Sequence, residues 1–231
     1  MPYRRLPNTD TARIKALKTA IDKASNSDFQ EVAFSMKTFI DAQRILSQFE
    51  KKHYLYKETY RAQVNANRAF QQKARSARIY LSHFIQVLYM CIIRNEIKEG
   101  QLKLYGLEHK NMLVPDLATN ESLLFWGEKI IKGESLRVAN GGVPIYNPSI
   151  AKVKVMYSLF KEGYNTQQIY RKTTERILNE VALERGRIDE IILKVWDEVE
   201  KHHMSYPTGK RVQKNRQYGI IYYYRKGETI K

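Results

Sequence analysis

Apolar residues recur at steps of three and four over two long stretches of the chain. The first stretch, residues 35–98, repeats from Phe39 to Leu88 with no Pro or Gly between its ends. This spacing keeps one helix face apolar, so it predicts either one very long helix or two helices stacked in one direction. The second stretch, residues 148–206, contains Gly163. That glycine is either a tight turn or a residue tolerated inside a helix, where it costs about 1 kcal/mol.

Shorter elements are predicted around these two stretches. Apolar residues at helical spacing predict a helix over residues 9–25 and another over residues 120–139. The residues able to cap these helices are Asn8 or Thr9 for the first and Thr119 or Asn120 for the second. Residues 99–118 have little periodicity and include a Gly and a Pro, so we interpret them as a long connection.

The last 25 residues, 207–231, differ from the helical part of the chain. A basic polar run is followed by Tyr218–Tyr224, whose aromatic and β-branched residues predict a strand. A strand needs a partner for its backbone groups. The candidate partners are Leu102–Leu107, Gly142–Tyr146 or a second chain. We therefore divide the chain into a helical bundle over residues 1–206 and a basic tail with a β-strand over residues 207–231.

Long helices with one apolar face are best buried against one another. The predicted fold class is therefore mainly α, a long-helix antiparallel bundle of about four helices with a short C-terminal β-strand. A content of 43% hydrophobic and 28% charged residues is typical of a globular protein.

The composition also bears on location. Cys91 is the only cysteine, so it has no partner for an intramolecular disulfide, and a reducing cytoplasm is expected. The N-terminal residues lack the apolar segment of a signal peptide. The most apolar run, Phe84–Ile93, is shorter than the roughly 20 residues that cross a bilayer, so no membrane insertion is expected.

Positive charge is unevenly distributed along the chain. The formal net charge is +16. Residues 31–98 hold 12 Lys and Arg against 5 Asp and Glu, and residues 207–231 hold 7 against 1. Such asymmetry indicates an anionic partner without identifying it.

Basic residues alternate with aromatic ones in both of these regions. Lys and Arg suit phosphates and flat rings suit unstacked bases, so the mixture favours RNA or single-stranded DNA over duplex DNA. The alternative is structural, because tyrosines on an apolar stripe can be core residues and charged residues on a helix can be its solvated face. The candidate anion-binding residues are Lys51, Lys52, Lys57, Arg61, Arg68, Arg75, Arg78, Lys210, Arg211, Lys214, Arg216, Tyr222, Tyr224 and Arg225.

Two Glu-x-x-His sequences are candidate metal ligands, Glu50 with His53 and Glu200 with His203. In carboxylate-bridged metal bundles two such motifs converge with one Glu from each of two further helices. The carboxylates that could complete such a set are Glu58, Glu96, Glu162 and Glu180. Both motifs also contain Lys, whose charge opposes a bound cation, so exposed polar helix faces are the competing interpretation.

Other chemistry has no recognisable signal. The sequence contains no glycine-rich phosphate loop, no Cys/His metal spacing and no Gly-x-Ser-x-Gly motif. We therefore expect no cofactor and favour a non-enzymatic protein.

Three segments resemble a group of uncharacterised bacterial helical proteins. They are Met1-Pro-Tyr-Arg-Arg-Leu-Pro-Asn-Thr-Asp10, Ala77-Arg-Ile-Tyr-Leu-Ser-His-Phe-Ile-Gln-Val-Leu88 and Trp126-Gly-Glu-Lys-Ile-Ile-Lys-Gly-Glu134. The resemblance extends over the whole chain and implies a bacterial cytoplasmic origin. It implies no activity, substrate or site residue.

Three hypotheses follow from the sequence. The leading one is a helical bundle that binds an anionic partner, such as nucleic acid or another polyanion, through its basic and aromatic surfaces. The second is a structural scaffold that forms a homodimer by strand pairing of residues 218–224. The third is the carboxylate and histidine metal bundle, which predicts stoichiometric bound metal.

Overall fold

A computed structural model describes residues 3–28, 31–107 and 112–224. The fold is mainly α with one short antiparallel sheet, which confirms the predicted fold class. The elements in chain order are β1 (Tyr3–Arg4), α1 (Asp10–Ser25), α2 (Met36–Ile93), a 3₁₀ helix (Glu99–Tyr105), α3 (Asn120–Ala139), α4 (Ile150–His202), α5 (Thr208–Arg216) and β2 (Tyr222–Tyr223).

Each long apolar stretch forms one continuous helix. Helix α2 has 58 residues and α4 has 53, so the alternative of two stacked helices is excluded and Gly163 lies inside α4. Helix α2 ends at Ile93, before the predicted end at residue 98. Asn95 has a left-handed φ of 58°, and the N–H groups of Glu96 and Ile97 both donate to the carbonyl of Cys91. This turn closes the helix before Gly100 is reached.

The chain divides into two compact units. Unit 1 comprises Met1–Tyr60 and Thr174–Lys231, and unit 2 comprises Arg61–Thr173. Helices α2 and α4 contribute residues to both units. No residue of α2 between Phe49 and Phe70 is buried, so its apolar stripe is interrupted there.

In unit 1, α2 lies antiparallel to α4. The Thr38 hydroxyl donates to Glu198 at 2.6 Å, and Lys52 Nζ donates to Glu184 at 2.6 Å. Later residues of α2 therefore contact earlier residues of α4, as in an antiparallel pair. Their shared core includes Trp196, which is 1% exposed.

Helix α1 is fixed to α4 by two ion pairs. Arg13 donates twice to Asp189, at 2.8 and 3.0 Å, and Arg185 donates twice to Asp10, at 2.9 and 2.8 Å. The hydrogen bonds from the Arg185 guanidinium hold the pKa of Asp10 below its usual value. The predicted cap Thr9 accepts from the N–H of Ala12 at 3.2 Å.

Unit 2 combines the second part of α2 with α3, the first part of α4 and the 3₁₀ helix. The rings of Phe70 and Phe160 stack with centroids 5.8 Å apart, and both are buried. Helix α3 approaches α4 closely at Gly127, where an added methyl group would overlap the ring of Tyr157. The Tyr157 hydroxyl donates to the carbonyl of Leu124 at 3.0 Å.

A fully buried ion pair joins α3 to its surroundings in unit 2. Glu134 is 0% exposed and Arg137 is 2% exposed, and their two hydrogen bonds are both 2.8 Å long. The Tyr105 hydroxyl donates to Glu134, and Arg137 also donates to the carbonyl of Val143 at 2.8 Å. Burial and the Glu134 carboxylate raise the pKa of Tyr105. The pair thereby holds the 3₁₀ helix and the loop after α3 in place.

The C-terminal part of the chain differs from its prediction. The basic run forms the helix α5, and the strand is limited to Tyr222–Tyr223. Its partner is β1, with Tyr3 opposite Tyr223 and Arg4 opposite Tyr222. The predicted partners Leu102–Leu107 and Gly142–Tyr146 were wrong, because Leu102 belongs to the 3₁₀ helix and Tyr146 forms only an isolated bridge with Ser149.

Among the described residues, α2 is the one helix with an 18-residue window long and apolar enough to cross a membrane, and 44% of that window is buried within the protein. The core helix of a soluble protein passes the same test of length and composition. The expected lack of membrane insertion stays a prediction.

We expect Gly127→Ala to destabilise unit 2 by about 1–3 kcal/mol, since the added methyl group overpacks a core contact. Gly186→Ala is the matched control, because a methyl group there meets nothing within 4 Å. It should stabilise α4 by about 0.5–1 kcal/mol through helix propensity alone. Urea unfolding followed by circular dichroism measures both changes, and equal effects of the two variants would contradict the close contact at Gly127.

We expect Glu134→Gln to destabilise the protein by about 3–5 kcal/mol, because it leaves the buried Arg137 charge unpaired. Glu180→Gln removes the matching partner of Arg176 in an exposed pair and should cost about 1 kcal/mol or less. Thermal unfolding of both variants measures these two losses of stability. A small effect of Glu134→Gln would show that water reaches Arg137.

Candidate functional site

A cavity of about 660 Å³ lies within unit 1, where both ends of the described chain meet the end of α4. Its walls come from β1, the last turn of α4 and the residues after it, α5 and β2. The lining residues are Arg4, Glu200, Lys201, Met204, Thr208, Arg211, Val212, Asn215 and Tyr222.

The sequence of α5 places its few inward-facing residues toward the cavity. Val212 is 5% exposed and Asn215 is 1% exposed, and their spacing of three puts them on one helix face. Lys210 and Lys214 lie on another face, with their ammonium groups 5.3 and 4.7 Å from the ring centroid of Tyr206. The lysines of α5 therefore lie on a different helix face from the buried residues Val212 and Asn215.

A chain of hydrogen bonds runs through the buried side of the cavity. Asn215 lies 2.7 Å from His203 Nδ1, and its amide N–H donates to the Tyr222 hydroxyl at 2.8 Å. The Tyr222 hydroxyl in turn donates to Glu200. Because the Asn215 amide nitrogen faces Tyr222, its oxygen faces His203, so His203 Nδ1 is the protonated, donating nitrogen. Every bond in the chain then runs in one direction, from His203 to Glu200.

Arg4 of β1 contacts Glu200, the last acceptor of this hydrogen-bond chain. Its guanidinium donates to the second oxygen of Glu200 at 3.2 Å and forms a further ion pair with Asp197. The pairing of β1 with β2 brings Arg4 opposite Tyr222. The carboxylate of Glu200 therefore accepts hydrogen bonds from the N-terminal strand, through Arg4, and from the C-terminal strand, through Tyr222.

Burial shifts the titration of two members of this chain. Desolvation and the hydrogen bond to Glu200 raise the pKa of Tyr222, so its hydroxyl keeps its proton at neutral pH. Desolvation lowers the pKa of His203, with smaller contributions in the same direction from His202 and Lys214, while the bond to Asn215 opposes the shift. The lowered pKa favours the neutral form of His203.

Aromatic rings and cations from the two ends of the described chain contact one another near the sheet. Tyr3 and Tyr223 stack with centroids 6.1 Å apart, and the Arg5 guanidinium is 5.9 Å from the Tyr223 ring. Arg216 donates to the Tyr224 hydroxyl at 3.5 Å. We call the cations of this region the terminal basic surface. They are Arg4, Arg5, Lys201, Lys210, Arg211, Lys214 and Arg216.

The other predicted anion-binding residues lie on α2, in two groups. In unit 1, Lys51 and Lys57 are exposed, while Lys52 donates to Glu184. In unit 2, Arg78 donates to the carbonyls of Leu117 and Ala118 at 2.9 and 3.0 Å. Lys52 and Arg78 are thus held by contacts within their own units. The exposed unit 2 members of the predicted set are Arg61, Arg68 and Arg75. The predicted residue Arg225 lies outside the described residues.

Two of the four candidate metal ligands, Glu200 and His203, are engaged in other contacts. In the described part of the chain, no group of three or more His, Cys, Asp or Glu side chains is placed to hold a metal ion. Glu200 accepts from Tyr222 and Arg4, and His203 is bonded to Asn215. The predicted set of Glu50, His53, Glu200 and His203 is therefore not assembled.

Several residues of this site were not predicted from the sequence, namely Tyr3, Arg4, Arg5 and Asn215. The signal for the first three was present, because the N-terminal Tyr-Arg-Arg run has the same mixture of rings and cations as the tail. Asn215 offered no such signal. A lone Asn within a basic run gives no indication that it faces a buried histidine.

Comparisons with protein-family models, curated proteins and solved structures found no match to this chain. The resemblance to bacterial helical proteins stays an expectation.

His53 lies apart from the cavity, on α2. Its ring stacks on Phe49 with centroids 6.4 Å apart, and neither of its buried ring nitrogens has a hydrogen-bond partner among the described residues. Desolvation lowers its pKa, Lys57 and Arg185 add to that shift, and Asp10 opposes it. The folded protein therefore disfavours protonation of this ring.

This arrangement predicts that the protein loses stability as the pH falls through the ordinary histidine value of about 6.5, because the unfolded chain takes up a proton that folded His53 resists. His53→Phe should reduce this loss while keeping the stacked ring. His83→Gln, at an exposed histidine, is the control and should leave the pH dependence unchanged. Thermal unfolding midpoints between about pH 5 and 7.5 test this, and identical pH profiles for wild type and His53→Phe would refute it.

Proposed function

We propose that this protein binds single-stranded nucleic acid, without catalysis, through the terminal basic surface. The observation that carries the proposal is that cations from both chain ends, Arg4 and Arg211, line one cavity of unit 1, beside the stacked and exposed rings of Tyr3 and Tyr223. The strand pairing of β1 with β2 places Arg4 and Arg5 beside a tail that is itself basic.

The charge balance of this surface supports a polyanionic partner. Residues 207–224 contain four Lys and Arg and no Asp or Glu. Arg4 is paired with Asp197 and Glu200. Lys210 and Lys214 of α5 lie next to the Tyr206 ring, a contact worth only about 0.5–1 kcal/mol at an exposed site. They can turn to a phosphate at little cost.

The aromatic residues favour a single strand over a duplex. Tyr3 is 47% exposed and Tyr223 is 44% exposed, so part of each ring is accessible to a ligand. Bases stack on such rings when they are not already stacked in a duplex. Each stacked base contributes about 1–3 kcal/mol in known single-strand binders.

The other two hypotheses have less support. The strand that was to pair with a second chain pairs with β1. The metal ligands do not converge within the described residues. Homodimer formation stays a prediction without a specific contact in its favour.

The test is fluorescence anisotropy with labelled single-stranded and duplex oligonucleotides between about 50 and 200 mM salt. We expect single strands to bind more tightly than duplexes, with affinity that falls as salt rises. Replacing Lys210, Lys214 and Arg216 by Gln should reduce the slope of log K against log salt by about 2, since each phosphate contact on a single strand contributes about 0.7.

The control variant removes the same charge elsewhere in the molecule. Lys15, Lys18 and Lys161 are exposed, and their replacement by Gln should leave the slope unchanged. Equal losses in the two triple variants would mean that net charge alone attracts the oligonucleotide. Absence of binding at the lowest salt would refute the proposed function.

A further inference from the structure

We propose that the cavity between α4, α5 and the paired strands receives one nucleobase of the bound strand. This inference rests on the proposed function and specifies how the site tells nucleic acid from other polyanions. A surface of cations attracts any polyanion, whereas a pocket beside it selects for the group that enters.

The size and position of the cavity suit such a group. Its volume of about 660 Å³ falls within the usual range for small-molecule sites, about 300–1,000 Å³. Arg4, Lys201 and Arg211 belong both to its lining and to the terminal basic surface. A strand whose phosphates lie on that surface therefore has its bases within reach of the cavity.

The walls of the cavity match a base better than a phosphate. Met204 and Val212 supply apolar surface, and Tyr222 supplies a ring. A bare phosphate gains nothing from apolar walls, whereas a base has two apolar faces and a polar edge. Thr208 lines the cavity and is exposed, so its hydroxyl can donate to or accept from the polar edge of a base.

The cavity is also ordered before a ligand arrives. Tyr222 is fixed by hydrogen bonds from Asn215 and to Glu200, and Asn215 is fixed by His203. Side chains held in this way lose little conformational freedom on binding, which lowers the cost of association. The hydrogen-bond chain therefore acts as a support for the base-binding wall.

The experiment separates the contribution of the bases to affinity from that of the phosphates. Three labelled strands of equal length, about 12 nucleotides, are compared: oligothymidine, a fully abasic strand, and an abasic strand with one central thymine. They carry the same phosphates. We expect the single thymine to raise affinity at least about fivefold over the abasic strand, the lower bound for one stacked base.

A pair of variants locates the effect in the cavity. Thr208 is exposed and lines the cavity, so Thr208→Trp should fill the space and abolish the gain from the single thymine. Ser205 is exposed and is not among the lining residues, so Ser205→Trp adds the same ring nearby and should preserve the gain. Circular dichroism verifies that both variants keep the wild-type helix content. A single 5-iodouracil in place of thymine, irradiated on the wild-type protein, should cross-link to the peptide that contains Met204 or Tyr222.

The outcomes distinguish the two proposals. If all three strands bind equally and the cross-link falls elsewhere, the nucleobase inference is wrong while the proposed function stands. If both Trp variants abolish the gain, the base binds the surface and not the cavity, which also overturns the inference. If no strand binds, the proposed function fails and the inference fails with it.

Discussion

The antiparallel contact between α2 and α4 is the interaction on which both units depend. In unit 1 the contact between Thr38 and Glu198 is followed by that between Lys52 and Glu184, a step of 14 residues on each helix in opposite directions. Fourteen residues are two heptads, the repeat that keeps an apolar seam facing its partner. In unit 2 the two helices meet again at Phe70 and Phe160. Each unit then adds a shorter helix, α1 or α3, to cover the apolar surface that two helices alone leave exposed.

The seam of α4 also accounts for the position of the candidate site. Val195 and Val199 are buried on the stripe of α4, and His203 lies four residues after Val199, in the next position on the same face. An imidazole there is forced into the core and must find a hydrogen-bond partner. Asn215 of α5 supplies it, so the end of α4 determines where α5 packs. Glu200, on the adjacent face, accepts the Tyr222 hydroxyl and Arg4, which attaches both strands to the same turn of helix.

The parts of this structure that were predictable have a local sequence signal. Periodicity gave the long helices, and Thr9 and Thr119 cap α1 and α3 as expected. Helix α5 was missed because Val212 and Asn215 are its only buried residues, too few to form a stripe. The pairing of Tyr3–Arg4 with Tyr222–Tyr223 was missed because two residues carry no period and their partners are at the opposite end of the chain. Basic residues could be found in the sequence, but it does not reveal that Lys52 and Arg78 are held by Glu184 and by backbone carbonyls.

The buried hydrogen-bonded groups of the site and the exposed cations of α5 have different roles. A buried chain of hydrogen bonds is weak evidence for stability, since its members could be replaced by apolar residues of similar shape, but removing one member leaves a neighbour unsatisfied. Such a chain therefore fixes geometry. Arg4, whose charge is directed at Glu200 and Asp197, belongs to this positioning part. Lys210 and Lys214 of α5 lie over the Tyr206 ring and are partly or fully exposed, so in the proposed function they are cations that can neutralise a phosphate. Under the proposed function, Arg4 therefore acts by holding Glu200, which accepts the Tyr222 hydroxyl, while Lys210 and Lys214 attract the ligand.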